Sequence, residues 1–276
     1  MELDIIKSVQ MLSSPLFDNI FKIITFFGEE LVLVPIMAYF YWCVDKKKGI
    51  YVIESVAATL TLGNILKCIF KMPRPIGAEG VRSIYTETAT GYSMPSIHTA
   101  NISSLLTSMN VLNGGVKSSV LSFIFVLLVG LSRIYLGVHY PKDVLVGMIL
   151  GIVISLAVCF LFEKLRNELL VALIIVVVMS FGFFTEVSDD FYKSYGLCLG
   201  IFFGVLLEKA SVEFQMPKSS RKRNIRLIFG LVTSGLLYMI LKAYMPSGNI
   251  YYTVRYFILA FYTIGIYPMI FKKLKI

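Results

Sequence analysis

The two histidines of this 276-residue chain both stand beside residues that suit acid–base or phosphate chemistry. His139 lies four residues before Asp143, and Pro141 stands between them. One helical turn that begins near Pro141 would bring the imidazole and the carboxylate together. A carboxylate that accepts the Nδ1 proton leaves Nε2 free as a nucleophile or a base. A salt-bridged helix cap without chemistry is the alternative interpretation.

Arg133, in the same stretch as His139, and two separate clusters add cationic or anion-binding groups. Arg133, six residues before His139, offers a planar guanidinium that suits a phosphate. Lys67 and Arg74 stand at the end of an apolar run, where isolated basic residues also snorkel to the membrane surface. The segment Pro95-Ser96-Ile97-His98 leads into an apolar helix, whose N-terminus would present backbone N–H groups to an anion. A plain capped helix is the alternative for this last segment.

Taken together, three cationic groups, a helix N-terminus and two histidines suit the transfer of a phosphoryl group. Such a transfer needs charge neutralisation, a nucleophile and an acid for the leaving group. The sequence has no carboxylate cluster of the kind that holds Mg²⁺ in kinases and GTPases. Its cysteines lack the CxxC spacing of metal sites and indicate no disulfide framework. We therefore predict no metal and no other cofactor. The cysteines are Cys43, Cys68, Cys159 and Cys198.

The elements that must position these residues are transmembrane helices. The chain is 57% hydrophobic, its mean hydropathy is +0.78 and only 16% of its residues are charged, whereas soluble domains carry about 25%. We predict an all-α, polytopic membrane bundle. An amphipathic segment at residues 4–27 would either cross the membrane or lie on it. The apolar runs that follow are residues 31–44, 49–70, 99–116, 118–132, 144–162, 169–184, 194–207, 227–241 and 256–271.

Loop charges orient this bundle. If alternate loops share a side, one side receives most of the 26 basic residues and the other receives both histidines. The positive-inside rule then places the histidines on the non-cytoplasmic face, with both termini in the cytoplasm. Basic cytoplasmic loops also account for the net charge of +9, so we predict no nucleic-acid partner.

The three clusters resemble the motifs of the type-2 phosphatidic acid phosphatase superfamily, which are membrane lipid phosphatases that share a core with vanadium haloperoxidases. The matching residues are Lys67-x6-Arg74-Pro75, then Pro95-Ser96-x-His98, then Ser132-Arg133-x5-His139-x3-Asp143. The resemblance covers about residues 15–164 and is strongest to bacterial members and sphingosine-phosphate phosphatases. It implies a six-helix catalytic core at residues 1–164 in a bacterial cell membrane. Residues 165–276 would add about four transmembrane helices.

The resemblance also implies a role for each matching residue. His139 would attack phosphorus, Asp143 would orient it, and His98 would protonate the departing lipid oxygen and then activate water. The phosphate oxygens would be held by Lys67, Arg74, Ser96, Arg133 and the backbone around Ile97. One departure stands at Ile97, where the best-known form of the motif has glycine. A β-branched residue there would resist a positive φ and a close approach of the backbone.

The predicted function is metal-independent hydrolysis of a lipid phosphate or diphosphate in the bilayer. Two alternatives stay open: a lipid phosphotransferase with an alcohol as the acceptor, and a non-catalytic transporter or scaffold. The motifs do not specify the lipid. The four C-terminal helices could serve homo-oligomerisation, substrate access or a partner, and their glycines also suit ordinary helix packing.

Overall fold

The computed structural model describes residues 1–274, and within that range every regular element is a helix. The predicted all-α fold is confirmed. The helices are α1 Glu2–Gln10, α2 Pro15–Phe26, α3 Glu30–Tyr39, α4 Lys46–Phe70, α5 Ile97–Asn113, α6 Val116–Tyr135, α7 Pro141–Leu165, α8 Glu168–Ser180, α9 Asp189–Leu207, α10 Ser220–Tyr244, α11 Asn249–Phe261 and α12 Tyr267–Lys273. Short π-helical turns extend α3 to Val44 and α9 to Val212, and a third joins α11 to α12.

Six helices within the described residues are long and apolar enough to cross a membrane. They are α4, α6, α7, α9 with its extension, α10, and the continuous segment Asn249–Lys273. Shorter apolar helices occupy Glu30–Val44 and Glu168–Phe184. The prediction of a polytopic membrane bundle with extra C-terminal helices is confirmed. The proposed boundary between a core and an extension near residue 164 stays a prediction.

The sequence explains where several of these helices begin and end. The Asp45 side chain accepts a hydrogen bond from the Lys48 backbone N–H (3.0 Å) and so caps α4, as acidic and amide side chains commonly do. Asn167 caps α8 in the same way. Gly114 and Gly115 separate α5 from α6, as their turn signal indicates.

Residues 4–27 form two helices and not one membrane-spanning segment. Ser14 caps a new helix with Pro15 at its first position, which ends the pattern begun in α1. The two helices have 9 and 12 residues, too few for the ~20 that a span requires. Of the two alternatives for this segment, these short helices favour a position at the membrane surface.

These N-terminal helices lie at the end of the bundle that holds the histidines. Glu2 pairs with Lys142 (2.8 Å), at the start of α7, and Asp18 accepts hydrogen bonds from Arg82 in the long loop after α4. The predicted position of the N-terminus, on the side opposite to the histidines, is therefore wrong. That position requires residues 4–27 to cross the membrane once, and the two short helices do not.

Glycines let the helices on both sides of the bundle approach closely. A Cβ on Gly151 of α7 would lie 2.4 Å from the Ala100 carbonyl oxygen of α5, so that contact requires glycine. Within the C-terminal part, a Cβ on Gly196 of α9 would lie 2.4 Å from the Thr253 carbonyl oxygen of α11. The α9 glycines thus serve packing inside this chain, one of the roles open to them from sequence.

Candidate active site

The turn between α6 and α7 presents His139. Gly137 in this turn has φ +68°, and a Cβ there would lie 2.4 Å from the Arg82 carbonyl oxygen. Glycine satisfies both requirements. Pro141 then begins α7, and the Asp143 carboxylate accepts a hydrogen bond from the Tyr140 backbone N–H (2.8 Å). The predicted helical turn between His139 and Asp143 is confirmed.

The imidazole of His139 is buried between a carboxylate and a guanidinium. Its Nδ1 lies 3.4 Å from Oδ2 of Asp143, and its Nε2 lies 3.0 Å from Nη1 of Arg74. Ser93 stands 3.3 Å from Nδ1 and donates a hydrogen bond to the same Asp143 oxygen. Burial, and then the positive charges of Arg74, Arg133 and Lys67, lower the pKa of His139 well below the usual histidine value. The ring is therefore neutral near pH 7.

Backbone carbonyls hold Arg74 beside this ring. Its guanidinium donates hydrogen bonds to the carbonyl oxygens of Thr90 (2.6 Å), Gly91 (2.9 Å) and Val138 (2.9 Å). Burial lowers the pKa of Arg74 to about 10, which leaves it charged at neutral pH. Lys67 reaches the same Thr90 oxygen at 3.4 Å. Lys67 and Arg74 thus meet the turn that holds His139, and the loop after α4 connects them.

Arg133 is fully buried behind these residues. One guanidinium nitrogen, Nη1, donates to the Thr25 hydroxyl (2.9 Å) and the Thr88 hydroxyl (3.3 Å). Its Nε and Nη2 groups have no hydrogen-bond partner within the described part of the chain. A buried cation with donors to spare can bind an anion strongly.

His98 lies in the first turn of α5, as the sequence predicts. Its Nε2 is buried without a hydrogen-bond partner among residues 1–274, and Oε1 of Glu29 lies 4.0 Å away. The Tyr85 hydroxyl donates to that Glu29 oxygen (2.9 Å). A Cβ on Gly28 would lie 3.0 Å from the Cβ of His98, so glycine helps Glu29 to come this close. Sequence reasoning placed Glu29 on this face but gave it no role.

Ile97, the departure from the familiar motif, fits without backbone strain. It is the first residue of α5, and it is absent from the described non-glycine residues that have a positive φ. Its side chain points at Gly63 of α4, where a Cβ would lie 2.5 Å from Cδ1 of Ile97. Glycine on the neighbouring helix therefore makes room for the branched side chain. The expected conflict with a positive φ does not arise.

A cavity of about 160 Å³ collects the site. Five of the eight predicted residues line it: Lys67, Arg74, Ile97, His98 and His139. The other three, Ser96, Arg133 and Asp143, are fully buried and are not part of its lining. The backbone N–H of Ser96 donates a hydrogen bond to the Asp143 carbonyl oxygen (2.9 Å) and so joins the start of α5 to the start of α7.

Helix α9 forms the other side of this cavity, which the sequence did not indicate. We use the term α9 wall for Asp190, Lys193, Ser194 and Leu197, all of which line the cavity. The Asn64 amide of α4 donates to the Asp190 carbonyl oxygen (3.0 Å) and to the Ser194 hydroxyl (3.3 Å), which fixes the wall to α4. The spacing of these α9 residues matches no motif that would have predicted a site.

Residues 1–274 contain no cluster of three or more histidine, cysteine, aspartate or glutamate side chains that could hold a metal ion. The four cysteines are all free thiols. The arrangement offers instead a neutral imidazole beside a carboxylate, a second imidazole, and buried cations. Those groups can bind a phosphate, attack it and exchange a proton with the leaving group.

Comparison with known families agrees with this chemistry. Residues 48–167 match the PAP2 superfamily, and residues 192–276 match the transmembrane extension of PAP2 superfamily phosphatases. The chain belongs to the PAP2 superfamily and carries its transmembrane extension. The resemblance inferred from the three motifs is thereby confirmed.

Individual relatives are similar over part of their length. A probable sphingosine-1-phosphate phosphatase of Dictyostelium discoideum is 30% identical over 58% of this chain and 42% of that protein. An undecaprenyl-diphosphatase of Sulfolobus acidocaldarius is 31% identical over 47% of this chain and 63% of that protein. The chain thus spans less than two thirds of either relative. The crystal structure of Aquifex aeolicus LpxE is similar over 57% of this chain and 94% of LpxE, with a TM-score of 0.52 and 27% identity.

Proposed function

We propose that this protein is a metal-independent phosphatase of lipid phosphates that works through a phosphohistidine at the non-cytoplasmic membrane face. The surroundings of His139 carry the proposal: Nδ1 faces Asp143 at 3.4 Å and Nε2 faces Arg74 at 3.0 Å, at the edge of the cavity. A neutral imidazole keeps its lone pair on Nε2 when Nδ1 carries the proton. The names of the relatives, phosphatases of a sphingoid phosphate and of an isoprenoid diphosphate, support a lipid substrate.

Binding would begin with the phosphate at the cationic side of the cavity. A phosphate oxygen would take over the Arg74 hydrogen bond that Nε2 of His139 accepts, which frees Nε2 for attack. Lys67 would neutralise a second oxygen, and the unpaired donors of Arg133 would add charge from behind. Preorganised cations of this kind stabilise the charge of the transition state without reorganisation.

The first chemical step transfers the phosphoryl group to the protein. Nε2 of His139 forms a bond to phosphorus while the bond between phosphorus and the lipid oxygen breaks. The lipid oxygen leaves with the bonding electrons and takes a proton from the protonated form of His98, which the Glu29 carboxylate 4.0 Å away would stabilise. The Asp143 carboxylate accepts the hydrogen bond from Nδ1–H and stabilises the positive charge that develops on the ring.

The second step returns the protein to its starting state. The neutral His98 removes a proton from water while the water oxygen bonds to phosphorus and the P–N bond breaks. Inorganic phosphate leaves, and His98 has recovered the proton it gave away. An alcohol in place of water would give a phosphotransferase by the same route.

The reaction is tested with purified protein in detergent and EDTA. Release of inorganic phosphate is measured from phosphatidate, a sphingoid phosphate and a polyprenyl diphosphate. We expect release without divalent metal, inhibition by vanadate as a mimic of the transferring group, and a loss on the order of 10⁴-fold or more in His139→Ala. Activity that needs Mg²⁺, or that survives in His139→Ala, would contradict the mechanism. Phosphate recovered on an added alcohol would indicate the phosphotransferase.

The proposed orientation rests on charge at the opposite end of the bundle. Helix α4 begins there with Lys46, which pairs with Glu208 (2.8 Å), and Lys209 pairs with Glu168 (2.7 Å) nearby. Basic residues concentrate on cytoplasmic loops. Single cysteines placed at Glu87 and Lys222 should differ in intact cells: an impermeant reagent should label the first and spare the second. The reverse pattern would overturn the orientation.

A further inference from the structure

We propose that the α9 wall is a second anion subsite, at which Lys193 binds the inner phosphate of a lipid diphosphate. This inference rests on the proposed phosphatase function and specifies the substrate class of that site. The terminal phosphate would lie against Lys67, Arg74 and His139, and the phosphate joined to the lipid would lie against Lys193. No motif covers this wall, and its chemistry is carried by the C-terminal extension.

The first argument is the set of hydrogen bonds at Lys193. Its Nζ donates to Oδ1 of Asp190 (2.7 Å), and it lies 5.2 Å from the ring centre of Tyr252. An ammonium group has three N–H donors, so this ion pair leaves donors for a ligand in the cavity that Lys193 lines. The side chain is 32% exposed, so it has room to reorient toward a bound anion.

The second argument is that the Asp190 carboxylate is already occupied. Oδ1 accepts from Lys193, and Oδ2 accepts from the Thr90 hydroxyl (3.1 Å). A carboxylate whose oxygens both hold donors is a poor site for another cation. Glu30 also lines the cavity and adds a negative charge near Lys193. Because a carboxylate attracts cations, the α9 wall could alternatively bind the ammonium group of a lipid. The experiments below include that outcome.

The third argument is that the wall is fixed relative to the reacting phosphate. Asn64 clamps α9 at Asp190 and Ser194, and Lys67 follows Asn64 by three residues on the same face of α4. Thr90 joins the two sides directly, because its hydroxyl donates to Asp190 while its carbonyl oxygen accepts from Arg74 and Lys67. Cations on both sides thus lie around one small cavity.

The chemistry of a diphosphate matches this division. Nε2 of His139 would form a bond to the terminal phosphorus, and the bond from that phosphorus to the bridging oxygen would break. The bridging oxygen would leave with the electron pair as part of a lipid monophosphate. Lys193 would stabilise the negative charge that the phosphate of this leaving group gains. A lipid monophosphate has no second phosphate at that position, because its leaving group is the lipid alkoxide.

The test compares a polyprenyl diphosphate with the monophosphate of the same polyprenol, so that only the headgroup differs. Lys193→Gln should lower the ratio of kcat/KM for the diphosphate to that for the monophosphate by about tenfold, the effect of one charged hydrogen bond. Lys193→Arg should retain most of the ratio. Lys142→Gln is the matched control, because Lys142 pairs with Glu2 at the same membrane face outside the cavity.

An equilibrium measurement makes the subsite testable without turnover. Pyrophosphate and phosphate are titrated into His139→Ala protein by calorimetry, with and without Lys193→Gln. The subsite predicts that Lys193→Gln weakens pyrophosphate binding about tenfold more than phosphate binding. If wild-type protein hydrolyses no lipid phosphate but this difference is present, the proposed function fails and the subsite stands.

Two results would overturn the subsite itself. One is an equal effect of Lys193→Gln on the two anions and on the two lipid headgroups. The other is a selective loss of sphingoid phosphate hydrolysis in Glu30→Gln with no change in the diphosphate ratio of Lys193→Gln. The second result would assign the wall to the ammonium group of an amino lipid.

Discussion

Helix α9 lines the same cavity as α4, α5 and the turn between α6 and α7, but the two sides place side chains there under different constraints. His139 and Asp143 are 1% and 0% exposed, and neighbouring groups contact them on several sides. Asp190 and Lys193 of the α9 wall are each 32% exposed and pair mainly with each other. Buried groups with several hydrogen-bonding neighbours keep the fixed geometry that phosphoryl transfer requires, whereas partly exposed groups can adapt to different headgroups.

This difference separates chemistry from recognition. A change on the α4 to α7 side should affect every substrate, because it alters the group that attacks or the group that donates a proton. A change at Lys193 of the α9 wall should affect substrates according to what is attached to the reacting phosphate. Asp190 of the same wall should affect all substrates, because it accepts from the Thr90 hydroxyl and so supports the position of Arg74. Three experiments test that separation, beginning with the largest expected effect.

The largest effect should follow loss of the second histidine. His98→Ala should lower hydrolysis of a lipid monophosphate by roughly 10²–10⁴-fold, the contribution of general acid catalysis, because a lipid alkoxide needs a proton. p-Nitrophenolate is stable without one, so single-turnover release of nitrophenol from p-nitrophenyl phosphate should fall much less. Equal losses in that first step would mean that His98 only binds phosphate, and its assigned role would be withdrawn.

A smaller, uniform effect should follow a change in Asp190. Asp190→Ala removes the acceptor for the Thr90 hydroxyl, and the Thr90 carbonyl oxygen positions Arg74 and Lys67. We expect kcat/KM to fall about tenfold for p-nitrophenyl phosphate and lipid monophosphate alike, mostly through KM, as for one lost hydrogen bond to a charged group. Asp189→Ala, at the exposed neighbouring residue, is the control. A loss confined to one leaving group would show that Asp190 acts on the substrate directly.

The smallest effect should be the response of His139 to pH. Because its pKa lies well below the usual value, the ring should stay neutral as the pH falls through 6.5, where an ordinary histidine gains its proton. The chain has two histidines, so His98→Gln leaves a single imidazole for ¹⁵N NMR of histidine-labelled protein in detergent. Ring shifts should stay constant from pH 8 to 6. A protonation midpoint near 6.5 would contradict the burial seen here.

Much of the site follows from short-range sequence features. The spacing of His139 and Asp143 around Pro141 predicts their contact, because one turn of helix fixes which side chains meet. Apolar runs likewise predict most helices, and their ends follow from capping residues such as Asp45. These features are local, so neighbouring residues along the chain decide them.

The structure alone decided the contacts that join distant segments. Ser93 meets His139 across 46 residues, and Thr90 meets Asp190 across 100. Ile97 is tolerated because Gly63 stands opposite it on another helix. The break in residues 4–27 moved the N-terminus to the histidine end. Such contacts depend on how whole helices pack, since the relative position of two packed helices is set by many side chains together and by no short pattern in either one.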